Sequence, residues 1–375
     1  MAHAYTPGLR VTERTVVRKE RRLPLKGEVV VKEGQEVKAE AIVAKTNLPG
    51  PVQTVNVAGI LGILPEDVSE SMLKKVGDAV AKNEAIAQSK GFFGLFKSQC
   101  KAPAAGTIEN VSSITGQVIL REPPLPVEIA AYIDGKVVEV IPQEGVVMET
   151  TAAFVQGIFG VGGETTGIIA MATDDPKSVL SPEMIKPEHK GKIVVGGAFV
   201  TSPSIARGIE VGAKAIVVGG IDDADLREFL GYDIGVAITG SEKKGITLVI
   251  TEGFGKMAMA HRTFDLLKSK QGMKASVNGA TQIRAGVMRP EVIVPLIGAG
   301  AVARPDGIDA VQGLTEGSPV RVIREPYFGK LGTVTALPPE LQKLETESHA
   351  RVLEVEFEDG KRAIVPRANV EMIEG

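Results

Sequence analysis

Period-two alternation of apolar and polar residues runs through most of the chain, and it predicts many short strands and few helices. Between Leu73 and Leu120, two such stretches flank an apolar loop, G-F-F-G-L-F-K. They read V-G-D-x-V-x-x-N-E-x-I-A and K-A-P-x-x-G-T-I-x-x-V. The first repeats an earlier stretch, which can be laid on it at a constant offset: Gly34 falls on Gly77, Val37 on Val80, Glu40 on Asn83, Val43 on Ile86 and Ala44 on Ala87. Each copy predicts a turn glycine followed by a strand whose alternate residues point inward. Thr46 to Ser71, with Pro49, Gly50, Pro51 and Pro65, reads as a loop crossing with a short helix near Glu66 to Leu73. Beyond Leu120 alternation resumes, and Asp134-Gly135 signals a hairpin between Ile133 and Val137. The glycines from Gly157 to Gly167 read as a bend between strands, because no Gly-Lys-Ser/Thr follows to make a phosphate loop.

After a proline-rich stretch, residues 173–189, the pattern changes to alternating strands and helices. Lys192 opens a buried strand. Ser202 and Pro203 then predict an N-cap and first helical residue, with Ile205, Ala206 and Ile209 as the buried face and Gly212 as the stop. A strand starts at Ala215, and a short helix spans Asp223 to Leu230, stopped by Gly231. Strands follow at Ile234 to Ile238 and Ile246 to Ile250. Met257, Ala260, Phe264 and Leu267 share one helical stripe, which leaves Lys256, Arg262, Lys268 and Lys270 to solvent. The strand–helix–strand order favours parallel pairing with a right-handed crossover. From Leu314 onward the chain returns to short strands.

The expected architecture is a β-rich α+β multidomain chain. It comprises a basic N-terminal arm (1–22), a first β domain (23–172), a linker (173–189), a small α/β domain (190–297), a linker (298–313) and a C-terminal β domain (314–375). The paired hairpin motifs of the first domain resemble the lipoyl/biotinyl-like barrel-sandwich hybrid, in the style of the N-terminal domain of the Rnf-complex C subunit. In the carrier families the modified lysine would fall on Phe93, and Lys90 and Lys97 lack the expected context, so no lipoyl or biotinyl cofactor is expected. The phrases G-K-I-V and G-A-K-A-I-V-V resemble swivelling β/β/α domains, which serve as binding modules. Gly317, Val320, Arg321, Val322, Ile323, Pro326, Tyr327, Phe328, Gly329, Gly332 and Val334 resemble a KOW-type SH3-like barrel, which implies contact with RNA, ribosomes, RNA polymerase or other proteins.

Composition narrows these implications. The single cysteine, Cys100, excludes an internal disulfide and the cysteine sets of iron–sulfur or zinc sites. No apolar run reaches the roughly 20 residues of a membrane helix, and no signal-peptide core opens the chain, so a cytoplasmic location is expected. Residues 1–22 hold six Arg/Lys against two Glu. They could meet RNA, an acidic lipid surface or an acidic partner, or lie as a solvated face. The last domain is acidic, with eight Lys/Arg against eleven Asp/Glu from Glu316 to Gly375. That disfavours nucleic acid unless Arg321, Arg324, Tyr327 and Lys330 form one surface.

Candidate chemistry is sparse. His3, His189, His261 and His349 lack metal spacing, so no metal is expected. There is no nucleophile elbow and no dinucleotide fingerprint, and no catalytic residue is assigned. Gly253, Gly255 and Lys256, with Arg262 and also Arg284 or Arg289, are candidates for an anion at a helix start. Phe92, Phe93 and Phe96 at the hairpin tip are candidates for a partner contact, or for packing within the chain. The leading expectation is a non-enzymatic scaffold or adaptor that docks a protein partner or self-associates. The alternatives are an RNA-, ribosome- or transcription-associated protein, and an enzyme or sensor that binds a phosphorylated ligand at the α/β domain.

Overall fold

A computed structural model of the chain describes residues 9–89, 98–232, 244–281, 288–296, 314–322, 326–327, 330–338, 340–343, 349–357 and 359–372. The protein is β-rich, with few and short helices. Among the described residues, thirteen strands join in one sheet. Its parallel part runs Glu164–Met171, Lys192–Val195, Ala215–Ile221, Thr247–Phe254, with each strand beside the next. Phe159–Val161 closes one side antiparallel. On the other side Lys274–Asn278, Glu291–Pro295 and Gly145–Gln156 continue it antiparallel. Lys192–Val195, Ala215–Ile221 and Thr247–Phe254 are buried almost throughout because both of their faces are covered. Helices Ser202–Val211 and Asp223–Leu230 cover one face through Ile205, Leu226 and Leu230. Helix His261–Ser269 covers the other through Phe264, Leu266 and Leu267, beside Val11 and Val155.

Two helix ends follow the glycine signal: Gly212 and Gly231 both adopt the left-handed C-cap conformation. The buried face of the first helix follows expectation at Ile205 but not at Ala206 and Ile209. Ser204, Ile205 and Gly208 turn inward, while Ala206 and Ile209 are exposed. The cap is Thr201, and Ser204 Oγ donates to the Leu180 carbonyl, which fixes that rotation.

Several boundaries also differ. Residues 11–22, expected as an arm, form the strand Val11–Arg22 paired along its length with Gly145–Gln156. Residues 173–189, expected as a linker, contribute the strand Val179–Leu180 and bury Leu180 and Ile185 against the helices. The large sheet therefore runs without a break across the expected divisions at 172 and 190. Asp134-Gly135 is not a hairpin turn, because Leu125–Ala130 pairs with Ile42–Leu48 and Gly135–Ile141 pairs with Gly145–Gln156.

Asp134 instead belongs to a clamp between the first module and the sheet. Its buried carboxylate accepts from Ala39 N–H at 2.8 Å, from Lys274 Nζ at 2.7 Å and from Lys38 Nζ at 3.2 Å. Burial alone would raise its pKa, but these donors outweigh burial and hold it below the ordinary aspartate value. Beside it Tyr132 is 3% exposed and adopts φ 69°, a left-handed conformation that strains a bulky side chain. The strain is held by Tyr132 N–H to Ala39 O, Ser276 Oγ to Tyr132 O at 2.5 Å, and Tyr132 OH to Glu291 at 3.2 Å. Lys19 pairs with Glu291 and Arg21 takes Glu164 in two bonds, each at 2.6 Å. Two cations of the expected arm are thus used to tie the fold together, while Arg14, Arg18 and Arg22 remain exposed.

Val43 and Ile86, at matched positions of the repeat, are both fully buried but in different cores: Ile86 packs with Ile108, Val118 and Leu120, and Val43 lies in a core shared with Phe154 and Ile293 of the large sheet. Gly34 and Gly77, also matched, both take positive φ. At the other end, Pro319–Val322, Leu331–Ala336, Leu341–Lys343, His349–Phe357, Arg362–Pro366 and Val370–Met372 form a separate six-stranded sheet.

Candidate functional site

Where the C-terminal sheet meets the large sheet, a cavity of about 340 Å³ remains. Leu9, Val11 and Gln156 line it from the N-terminal pair of strands, Thr251 and Glu252 from the large sheet, and Ala260 to Thr263 from a helix start. Pro319, Arg321, Leu331, Gly332 and Thr333 close it from the C-terminal sheet.

The strand Thr247–Phe254 brings Thr251 and Glu252 to one place by breaking its own alternation. Val218 lies opposite Ile250 but Gly220 lies opposite Gly253, so two residues, Thr251 and Glu252, stand against the single Gly219. Such a bulge re-aims side chains, and here both adjacent residues reach the same cavity. Gly219 and Gly220 permit it. A Cβ on Gly219 would lie 2.2 Å from Met257 O, and one on Gly220 would lie 2.0 Å from Gly255 O, so the following loop packs directly on the strand.

Glu252 is 7% exposed. Its Oε1 accepts from Ala260 N–H at 3.0 Å, which satisfies one donor ahead of helix His261–Ser269. Its Oε2 lies 3.4 Å from Arg321 Nη1, and the same Nη1 donates to the Glu252 carbonyl. Burial raises the Glu252 pKa, and the nearby Arg321 charge only partly opposes it. Arg321 makes its closer pair with Glu371, directly opposite on the neighbouring strand, with Nε donating to Oε1 at 2.6 Å. Glu371 also meets Arg289 at 3.5 Å. Two guanidiniums thus share Glu371, and Glu252 forms the cavity side of the group.

This geometry rearranges the expected candidates. Gly253 lies within a strand and Gly255 in the loop after it, while the helix starts at His261, so Lys256 does not stand at a helix N-terminus. Lys256 is exposed away from the cavity lining, and Arg262 is at its rim. Of the proposed C-terminal surface, Arg321 is 2% exposed and serves as an internal pin. Alternation in V-R-V correctly turns it away from its own core, but the face it turns to is covered by the large sheet. Tyr327 and Lys330 do meet, with Lys330 Nζ 5.9 Å from the Tyr327 ring and 5.2 Å from Phe357. Arg324, Arg284, the strand 234–238, the linker 298–313 and the tip residues Phe92, Phe93 and Phe96 lie outside the described residues. Cys100 is buried, and burial raises its thiol pKa, away from a nucleophile's needs.

Glu252 escaped the sequence reading. Its signal was a lone carboxylate in the apolar run T-L-V-I-T-E-G-F, a position whose charge needs a buried partner. That partner, Arg321, is supplied from the C-terminal sheet.

No protein-family model matches the chain, and no curated protein matches it. Among the described residues, no group of three or more His, Cys, Asp or Glu is placed to hold a metal, and no helix is long and apolar enough to cross a membrane.

Proposed function

We propose that this chain is a binding protein that takes a small molecule between its large sheet and its C-terminal sheet. The observation that carries this reading is the cavity itself, of about 340 Å³, walled by apolar side chains with the buried Glu252 and Arg321 in its lining. A volume in the lower part of the range for small-ligand sites, with a few convergent polar groups, is the usual form of a binding pocket. Because two modules share its walls, an occupant would touch both and so favour their docked arrangement. Thr333→Trp places a large ring at the wall. Protein purified natively from its own host should release a bound small molecule on denaturation, and the Thr333→Trp protein should release markedly less. Equal release from both proteins, or none from either together with no thermal stabilisation by any member of a fragment library, would remove this reading.

A second reading, docking of a protein partner, is favoured by a different observation. Ile60, Leu64 and Ile114 are 53%, 61% and 88% exposed. The turn bearing Ile114 lies against Ala58 and Pro65, since Ala58 N–H bonds Gly116 O and a Cβ on Gly116 would touch both residues. The three exposed residues therefore lie in segments that meet at Ala58, Pro65 and Gly116, and exposed apolar surface marks contact sites. Leu64→Asp with Ile114→Asp should change stability by no more than about 0.5 kcal/mol. It should also abolish any stoichiometric complex that native mass spectrometry finds in host extract. A complex that persists in the double variant would place the contact elsewhere.

A further inference from the structure

The start of helix His261–Ser269 indicates what kind of molecule fits the cavity, and this step rests on the cavity being a ligand site. The helix begins on the cavity wall, since Ala260, His261, Arg262 and Thr263 all line it. Its N-cap is Ala260, and no side chain caps it. The Ala260 N–H is taken by Glu252 Oε1 at 3.0 Å. The N–H groups of His261, Arg262 and Thr263, next along the chain, meet no acceptor among the described residues, as the first turn of a helix leaves them. Thr263 is only 3% exposed, lines the cavity and makes no hydrogen bond through its hydroxyl among the described residues. A hydroxyl so deeply buried ordinarily has a partner. A row of open donors and the acceptor Glu252 thus stand side by side, held in place by the Glu252–Ala260 bond. The opposite wall, at Leu9, Val11, Pro319 and Leu331, is apolar.

We propose that the cavity binds a small primary carboxamide, with its carbonyl oxygen on the helix-start N–H groups and the Thr263 hydroxyl, its NH₂ on Glu252, and its apolar body against the opposite wall. An amine offers these groups no acceptor, and a carboxylate or a tertiary amide offers Glu252 no donor. A primary carboxamide carries both on one carbon. The partial positive charge of the helix start strengthens the bonds to the carbonyl oxygen. Glu252 has acceptor capacity to spare beyond Ala260 and Arg321, and a carboxyl group keeps an acceptor oxygen whether or not it is ionised. A ligand without a donor would bury that capacity unmet, which costs affinity.

The test is calorimetry on the full chain with phenylacetamide, its N,N-dimethyl derivative, phenylacetate and phenethylamine, which share one apolar body. Phenylacetamide should bind at least about tenfold more tightly than each of the others. Thr263→Val should weaken it by about threefold to tenfold, the loss of one neutral hydrogen bond. Bound phenylacetamide should also slow hydrogen exchange at the Arg262 and Thr263 amides of the parent protein, a readout that stands even if the variant fails to fold. Any of the other probes binding as well as phenylacetamide would overturn the carboxamide assignment while leaving the cavity as a ligand site. Unchanged exchange at both amides in the bound protein would overturn the placement at the helix start. Silence of all the probes at millimolar concentration would overturn this assignment too. If the host-purified protein nonetheless releases a small molecule that Thr333→Trp loses, the broader reading survives that silence.

Discussion

Arg321→Ala is expected to cost about 3–5 kcal/mol of stability, because it leaves Glu371 and Glu252 buried without the guanidinium that meets both. The effect should be much larger than for a surface arginine such as Arg362, whose pairs with Glu354 and Glu356 are exposed. Removing a matched pair should be far milder. Arg321→Met with Glu252→Gln takes out one charge of each sign and leaves Glu371 beside Arg289, and buried ion pairs replaced by neutral side chains are often neutral in effect. Urea denaturation of the single and double variants decides the matter. A single variant within 1 kcal/mol of the parent, on the ~1 kcal/mol scale of an ordinary hydrogen bond, would show that Arg321 is not the pin between the two sheets.

Asp134→Ala should destabilise the clamp by about 1–3 kcal/mol, since the Ala39 N–H loses its acceptor and Lys274 loses its closest carboxylate. The pH dependence gives a sharper reading. The pKa of Asp134 is depressed from an ordinary 3.8. The stability it contributes is therefore fully present above that value and is lost as pH falls through the lower, folded value. The stability difference between the parent and Asp134→Asn should shrink on acidification below about pH 4. A difference that stays constant down to the acid transition would mean that the carboxylate's charge is not what holds Ala39 and Lys274.

What could be read in advance divides along sequence distance. The helix stops at Gly212 and Gly231 depend on a single residue's backbone freedom, and both were legible. The turn glycines Gly34 and Gly77 were legible for the same reason. Residues 11–22 were misread because their charge is conspicuous while their strand partner lies beyond Gly145. Asp134-Gly135 has the composition of a tight turn, but its carboxylate is used by Ala39 and Lys274, which no local window contains. The cavity was harder still. It needs a bulge that appears only once Val218 and Gly220 are paired, and an arginine that looks solvent-facing until a second sheet covers it.

The long strand Gly145–Gln156 bears on how the protein is made. It pairs early with Val11–Arg22 and Gly135–Ile141, but its pairing with Glu291–Pro295 must wait for the far end of the sheet. Roughly 140 residues of synthesis separate Gln156 from Pro295, which at about 5–20 residues per second amounts to some ~7–28 s. Throughout that interval the nascent chain carries an unpaired apolar edge at Ala152 to Val155, the kind of edge on which chains join each other. Slower translation between Gln156 and Pro295 is therefore expected to lower the yield of native protein, and a shield over that edge to raise it.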